Sequence, residues 1–308
     1  MRYKEIVDRS TLVLAGCFRP DIPSYTYELE SRIQLNLPVF KEFKNIVVTY
    51  NKQNSVIKDN EFDIIKNLYR KYIPNCIFIS QNVNRGWIFG GADLFKNSFS
   101  YVRDNIDSDY VWFLTEDFFI DLKFLDVDFG DEDYDYFGLP FFGSGSIPKD
   151  KDINEFIKEY TDDYLIPQYN FQIIKTDAIS FFLMMESEEQ DKKYKEWVQS
   201  SDGHDQRKYT IGAERQLYHT IVENKLNCKL IIEDLRMLVK AVRDTNMQDG
   251  AHKNVYFVDY GLCHFAWWQE TLLAVEKERA MEANMQRRMN PYGMTKELGT
   301  TKVNKEGI

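Results

Sequence analysis

Two adjacent carboxylates, Glu116 and Asp117, close the apolar run Tyr110-Val111-Trp112-Phe113-Leu114, with Thr115 before them. Such a run reads as a buried strand. Acidic side chains at the point where a buried strand meets its loop offer hard oxygens, which suit Mg²⁺ or Mn²⁺ held against phosphates. A plainer reading is that the chain is surfacing there and the acids are solvated. Upstream features favour the first reading. Asn84-Arg85-Gly86 and then Gly90-Gly91 form a glycine-rich segment whose backbone can approach a ligand closely. An amphipathic helix over about 92–102 separates that segment from the strand.

These residues need elements to position them. Residues 11–17, 45–51 and 76–80 are short apolar runs, as expected of strands covered on both faces. Helical spacing of Leu29, Ile33, Leu37 and Phe40 predicts a helix over 27–43, which Pro38 should kink or split. A second helix is expected over 60–72, with Asn60 as its N-cap and Phe62, Ile65 and Leu68 on one face. The alternation of strand and helix up to residue 121 implies a parallel sheet with right-handed crossovers, a Rossmann-like half. Ligands of such sheets bind beyond the carboxyl ends of the strands. Arg19, Asn51, Arg85 and Asp117 all fall at those ends.

The stretch 81–121 resembles the family 2 nucleotide-sugar glycosyltransferases of GT-A fold. Asn84-Arg85-Gly86, Gly90-Gly91-Ala92 and the strand ending in Thr115-Glu116-Asp117 occupy the places of that family's Asn-x-Gly, small-residue loop and Asp-x-Asp motif. Thr115 stands where the motif's first Asp would be, so the metal role falls mainly on Asp117, with Glu116 in support. The resemblance implies a mostly parallel GT-A sheet flanked by helices, residues 1–121 forming the nucleotide-binding half and 122–265 the acceptor half. It also implies Mn²⁺ or Mg²⁺, a nucleotide-sugar donor, and direct displacement with inversion at the sugar. Phe18 and Arg19, at the exit of the first strand, would meet the base and ribose. Arg19 and Arg85 would add hydrogen bonds to the nucleotide or diphosphate. His264 is implied as a further metal ligand, with a core or aromatic-stacked histidine as the rival reading. Glu214, opening a helix over about 212–224, is implied as catalytic base. Arg215 replaces the second acid of the family's motif there, and a helix N-terminal Glu favoured by the macrodipole is the alternative.

Beyond residue 121 the spacing predicts strands over 136–142, 169–175, 229–232 and 254–260. Helices are expected over 153–160, 176–185, 190–198 and 270–288, and the last belongs to a helical extension and polar tail over 266–308. The acidic stretch 126–135 reads as a solvated loop. A hydrophobic fraction of 44% over 308 residues supplies a sizeable core, and a net charge of −10 argues against broad binding to DNA or anionic membrane. Cys17, Cys76, Cys228 and Cys263 are widely spaced, which points to reduced thiols rather than a disulfide framework. No apolar run approaches the roughly 18 residues a membrane span needs, and no secretory leader is visible. A cytoplasmic protein is the expectation. The acceptor stays open among a glycan, a lipid-linked sugar, a protein and a modified nucleic-acid base. Two other functions fit the same elements, a nucleotidyltransferase and a catalytically silent sugar- or nucleotide-binding protein.

Overall fold

Leu12 and Leu14 alternate with Val13 and Ala15, so this stretch is apolar on both faces. A strand of that kind is stable only when both faces are covered. In the computed structural model it is β1 (Ser10–Phe18), near the centre of the sheet. The structure describes residues 1–18, 25–52, 59–81, 85, 87–130, 132–141, 166–183, 188–199, 213–230 and 262–264. All of these belong to one unit, Met1–Ala266. Residues 267–308 form a second unit that lies outside the described residues, as do the helices expected over 153–160 and 270–288 and the strand over 254–260.

The first half alternates as expected. A short α1 (Lys4–Val7) precedes β1, and then come α2 (Tyr25–Phe40), β2 (Asn45–Lys52), α3 (Asp59–Tyr72), β3 (Ile77–Gln81), α4 (Trp87–Asn105) and β4 (Tyr110–Thr115). A three-residue strand, β5 (Phe118–Ile120), and a single turn, α5 (Leu122–Leu125), follow. The second half holds β6 (Tyr136–Phe141), β7 (Ile166–Lys175), a 3₁₀ turn (Thr176–Ala178), α6 (Ile179–Leu183), α7 (Glu188–Gln199), α8 (Ala213–Glu223), β8 (Cys228–Leu230) and β9 (Leu262–His264).

Seven strands form one sheet in the order β3-β2-β1-β4-β7-β6-β8, and β5 pairs with β9 in a separate ribbon. The neighbours β3, β2, β1 and β4 run parallel, β7 is antiparallel to both β4 and β6, and β6 is parallel to β8. The fold is therefore mixed α/β around a mostly parallel sheet. One face carries α1, α2, α3 and α5, with Leu29, Ile33, Phe62 and Ile65 packed on Leu12, Leu14, Val48 and Trp112. The other carries α4, α6 and α8, with Phe95, Phe99, Phe182 and Leu217 on Val13, Val47, Phe113 and Ile174. Right-handed crossovers demand this split, because the chain winds outward from β1 to β3 and then returns to lay β4 on the far side of β1.

Three expectations are corrected here. Helix α4 begins at Trp87, so Gly90 and Gly91 lie inside a helix and not in a loop. Pro38 does not split α2; it sits in the last turn, with only two helical residues beyond it. Helix α3 starts at Asp59, which places Asn60 within its first turn and not at its cap. No helix among the described residues is long and apolar enough to cross a membrane.

Candidate functional site

The strand order reverses between β1 and β4, and in open α/β sheets the crevice outside the carboxyl ends at such a reversal is where ligands bind. Ala15 is in register with Thr115, so β1 extends three residues past the end of β4. The chain leaving β4 turns against that overhang, where the Glu116 N–H donates to the Ala15 carbonyl at 2.8 Å. Asp117 is the next residue. It is half-buried, and the Thr115 hydroxyl donates to its Oδ1. Thr115, which breaks the expected acidic motif, thus orients the acid that remains.

Glu116, expected to support the metal or donor, is bonded to side chains of the core. Its carboxylate accepts hydrogen bonds from the Tyr25 hydroxyl at 2.6 Å and the Tyr50 hydroxyl at 2.7 Å, and Tyr50 in turn bonds Tyr69 at 3.2 Å. Burial pushes the Glu116 carboxyl above its ordinary value, against the opposing pull of Arg32 and the two hydroxyls. Burial likewise draws Arg32 down to about 10, while Glu116 and Asp117 hold it up. With both tyrosines on its carboxylate, Glu116 belongs to the packing beneath the corner, which leaves Asp117 as its outward acid.

Gly16 makes this packing possible. A Cβ at Gly16 would stand 2.5 Å from Tyr50 Cζ and 2.6 Å from Glu116 Oε2, both held by hydrogen bonds. Gly16→Ala is expected to destabilise the protein by about 1–3 kcal/mol, the usual cost of overpacking. Denaturant unfolding measures it, and a parent-like midpoint would show that the Tyr50–Glu116 pair yields freely.

On the opposite face of β2, Cys17, Asn51 and Gln81 share one row across β1, β2 and β3. Asn51 is 2% exposed and donates from Nδ2 to the Gly90 carbonyl at 2.8 Å, which ties the exit of β2 to the first turn of α4. Among the described residues its Oδ1 has no partner. Gly91 faces Tyr169, whose hydroxyl donates to the Gly91 carbonyl. A Cβ at Gly91 would lie 3.4 Å from the Tyr169 ring, an ordinary contact. Among the described residues no neighbour requires glycine at position 91. Gly91→Ala should therefore stabilise the protein by about 0.5–1 kcal/mol through helix propensity, read as a raised Tm. A lowered Tm would mean that the Tyr169 contact is tighter than it stands.

Arg85 is likewise occupied. Its guanidinium forms a two-pronged pair with Asp93, at 2.8 Å from Nε and 2.5 Å from Nη2, and packs over the rings of Phe89 and Tyr194. That fork joins α4 to α7, whereas a diphosphate contact was expected of it. Asn84, Gly86 and Arg19 lie outside the described residues, and so do the side chains of Phe18, Glu214 and His264. Backbone places Glu214 as the second residue of α8, whose Leu217 packs in the core shared with β4 and β7. It also places His264 opposite Phe118 in the β5–β9 ladder, one residue from Asp117. Among the described residues no three His, Cys, Asp or Glu side chains gather as a metal cluster.

A cleft of about 780 Å³ opens at the opposite end of the strands, by Asp109, Tyr110 and Lys175. Its charges pair with one another, Arg9 with Asp109 at 2.8 Å and Lys175 with Asp133 at 2.6 Å, and none of the expected site residues lines it. Tyr25, Arg32, Asn36 and Tyr50 were missed in the sequence. Arg32 and Asn36 did leave a signal there, as two polar residues four apart on the apolar face of a helix.

No protein-family model matches the chain, and no curated protein does. Solved structures similar to it include both glycosyltransferases and nucleotidyltransferases. An inositol-1-phosphate CTP transferase from T. maritima aligns at TM-score 0.42 and 12% identity over 73% of this chain and 85% of its own. A glycosyltransferase involved in glycosylation of the major capsid of PBCV-1 aligns at TM-score 0.40 and 11% identity, over 87% and 99%. Core-mannan synthase A from Aspergillus fumigatus, in its Mn/GDP form, aligns at 0.33 and 13%, over 71% and 72%.

Proposed function

We propose that this chain is a glycosyltransferase that moves a sugar from a nucleotide-sugar donor to an acceptor hydroxyl, using Mn²⁺ or Mg²⁺. The observation that carries the reading is the place of Asp117, at the exit of β4 where the strand order reverses. Its half-buried carboxylate, oriented by Thr115, supplies the hard oxygen such a cation requires. His264, whose backbone is one ladder step away, is the second ligand in this reading. The cation, when bound, neutralises charge on the departing diphosphate.

The chain's own residues do the rest. Asn51, held by Gly90 at the exit of β2, is a donor-binding residue in this reading. Phe18, Arg19, Asn84 and Gly86 are further donor-binding residues in this reading. Glu214, at the start of α8, takes the proton of the acceptor hydroxyl as it attacks, a general-base role. Attack from the side opposite the diphosphate inverts the anomeric centre. Residues 1–121 form the donor half and 122–265 the acceptor half. A glycan, a lipid-linked sugar, a protein or a modified nucleic-acid base serves as acceptor. The thiols of Cys76 and Cys228 suit a reducing cytoplasm.

The test is a panel of nucleotide sugars incubated with the purified chain and Mn²⁺. Release of a nucleoside diphosphate from one of them, lost on chelation, supports sugar transfer. Release of pyrophosphate from a nucleoside triphosphate and a sugar phosphate would replace it with nucleotidyl transfer. Tight binding with no turnover of either kind would make the chain a silent binder.

A further inference from the structure

Helix α2 carries two polar side chains on its buried face, Arg32 and Asn36, which are 7% and 4% exposed. A guanidinium and an amide are costly in an apolar seam unless their hydrogen bonds are met. Here those bonds converge on one stretch of backbone. Arg32 Nη1 donates to the Glu116 carbonyl at 2.8 Å. Asn36 Nδ2 donates to the Phe118 carbonyl at 3.2 Å, and Asn36 Oδ1 accepts from the Ile120 N–H at 2.8 Å.

Residues 116, 118 and 120 alternate along one edge of the chain, as a strand's residues do. Side chains of α2 therefore stand in for a neighbouring strand on that edge of β5. The pairing with β9 satisfies β5 as well, with Phe118 opposite His264 and Ile120 opposite Leu262. A three-residue strand has little to hold it in place by itself. Its location follows from α2 on one side and from β9 on the other.

We propose that Arg32 and Asn36 are positioning residues, a side-chain clamp that fixes the backbone 116–120 and with it both Asp117 and the strand that carries His264. The clamp stands on the hydrogen bonds, and its consequence for metal binding rests on the donor-site reading above. Neither residue touches donor or acceptor in this proposal. They act through Asp117 and His264, as groups behind a metal ligand orient it.

Two variants test the clamp. Arg32→Lys keeps the charge and loses the fork, and Asn36→Leu puts an apolar side chain of similar size into the same seam and keeps the test open should the first not fold. Amide hydrogen exchange is compared between 116–120 and the β2 residues Val47 and Val48, well below each variant's Tm. Mn²⁺ affinity is measured in the presence of UDP, GDP or CDP. The clamp predicts at least about tenfold faster exchange confined to 116–120, and Mn²⁺ binding weakened about 10–100-fold, the usual effect of losing an orienting group. A role in general stability predicts instead a lower Tm, exchange raised evenly over the sheet, and unchanged Mn²⁺ affinity. Parent-like exchange at 116–120 in a folded variant overturns the clamp, and parent-like Mn²⁺ affinity beside loosened exchange overturns its link to Asp117. Should the parent itself bind no Mn²⁺ with any of the three nucleotides, the donor-site reading falls, while the exchange measurement still decides the clamp.

Discussion

Asp117→Asn is expected to abolish Mn²⁺-dependent binding of a nucleoside diphosphate while leaving the fold intact. Asn keeps the shape of Asp and an Oδ1 that can still accept from the Thr115 hydroxyl, so the turn after β4 persists. What it loses is the anionic oxygen that a hard cation requires. Groups that merely orient a ligand are worth about 10–100-fold in metal affinity, so removal of the ligand should exceed 100-fold. Glu116→Gln is the control. Its carboxylate accepts from Tyr25 and Tyr50, and its loss should leave Mn²⁺ affinity within a few-fold of the parent. Isothermal titration of Mn²⁺ with UDP, GDP and CDP on both variants reads the difference. A larger loss in Glu116→Gln would transfer the metal role to Glu116, and parent-like binding in Asp117→Asn would remove it from this corner altogether.

Strands β1 and β4 were legible because a strand covered on both faces needs a continuous apolar run, and little else in a soluble chain does. The alternation with α2, α3 and α4 was legible for the same reason, since each helix repeats its apolar residues at helical spacing. What escaped depends on contacts between distant segments. The run 169–175 shows itself as a strand, but its antiparallel direction follows from where the chain returns after β6, which periodicity does not record. Strand β5 is three residues long and its partner β9 lies some 140 residues downstream, beyond the reach of any local pattern. Gly90 and Gly91 suggested a loop because Gly weakens helices, yet α4 absorbs both, held by Asn51 and Tyr169 at their carbonyls. Arg85 looked available for a phosphate because its partner, Asp93, is eight residues on, in a helix expected to begin at residue 92. The position of Asp117 was legible from the end of an apolar run; the α2 side chains beneath it were not.

Glu214→Gln separates binding from chemistry and should have the second large effect. A base acts on the acceptor's proton, so the variant should keep the donor and Mn²⁺ affinity of the parent. Transfer should fall about 10²–10⁴-fold, the usual range for a positioned acid–base group. Helix α8 is well placed to report this cleanly, because Leu217 and Ile221 pack it on β4 and β7 independently of residue 214. Gln is also a fair helix former, so α8 should persist. If Glu214 only favours the N-terminus of α8, its replacement costs roughly 0.3–1 kcal/mol of stability and leaves turnover near that of the parent. The two accounts differ in which quantity moves, kcat in one and Tm in the other. Both are measured on one purified variant, with Asp117→Asn beside it as the case that loses binding. Near-normal kcat in Glu214→Gln would pass the role to another carboxylate; Asp177 lies by Asp109 and Lys175 at the opposite end of β4, which leaves Glu233, outside the described residues, as the next to replace.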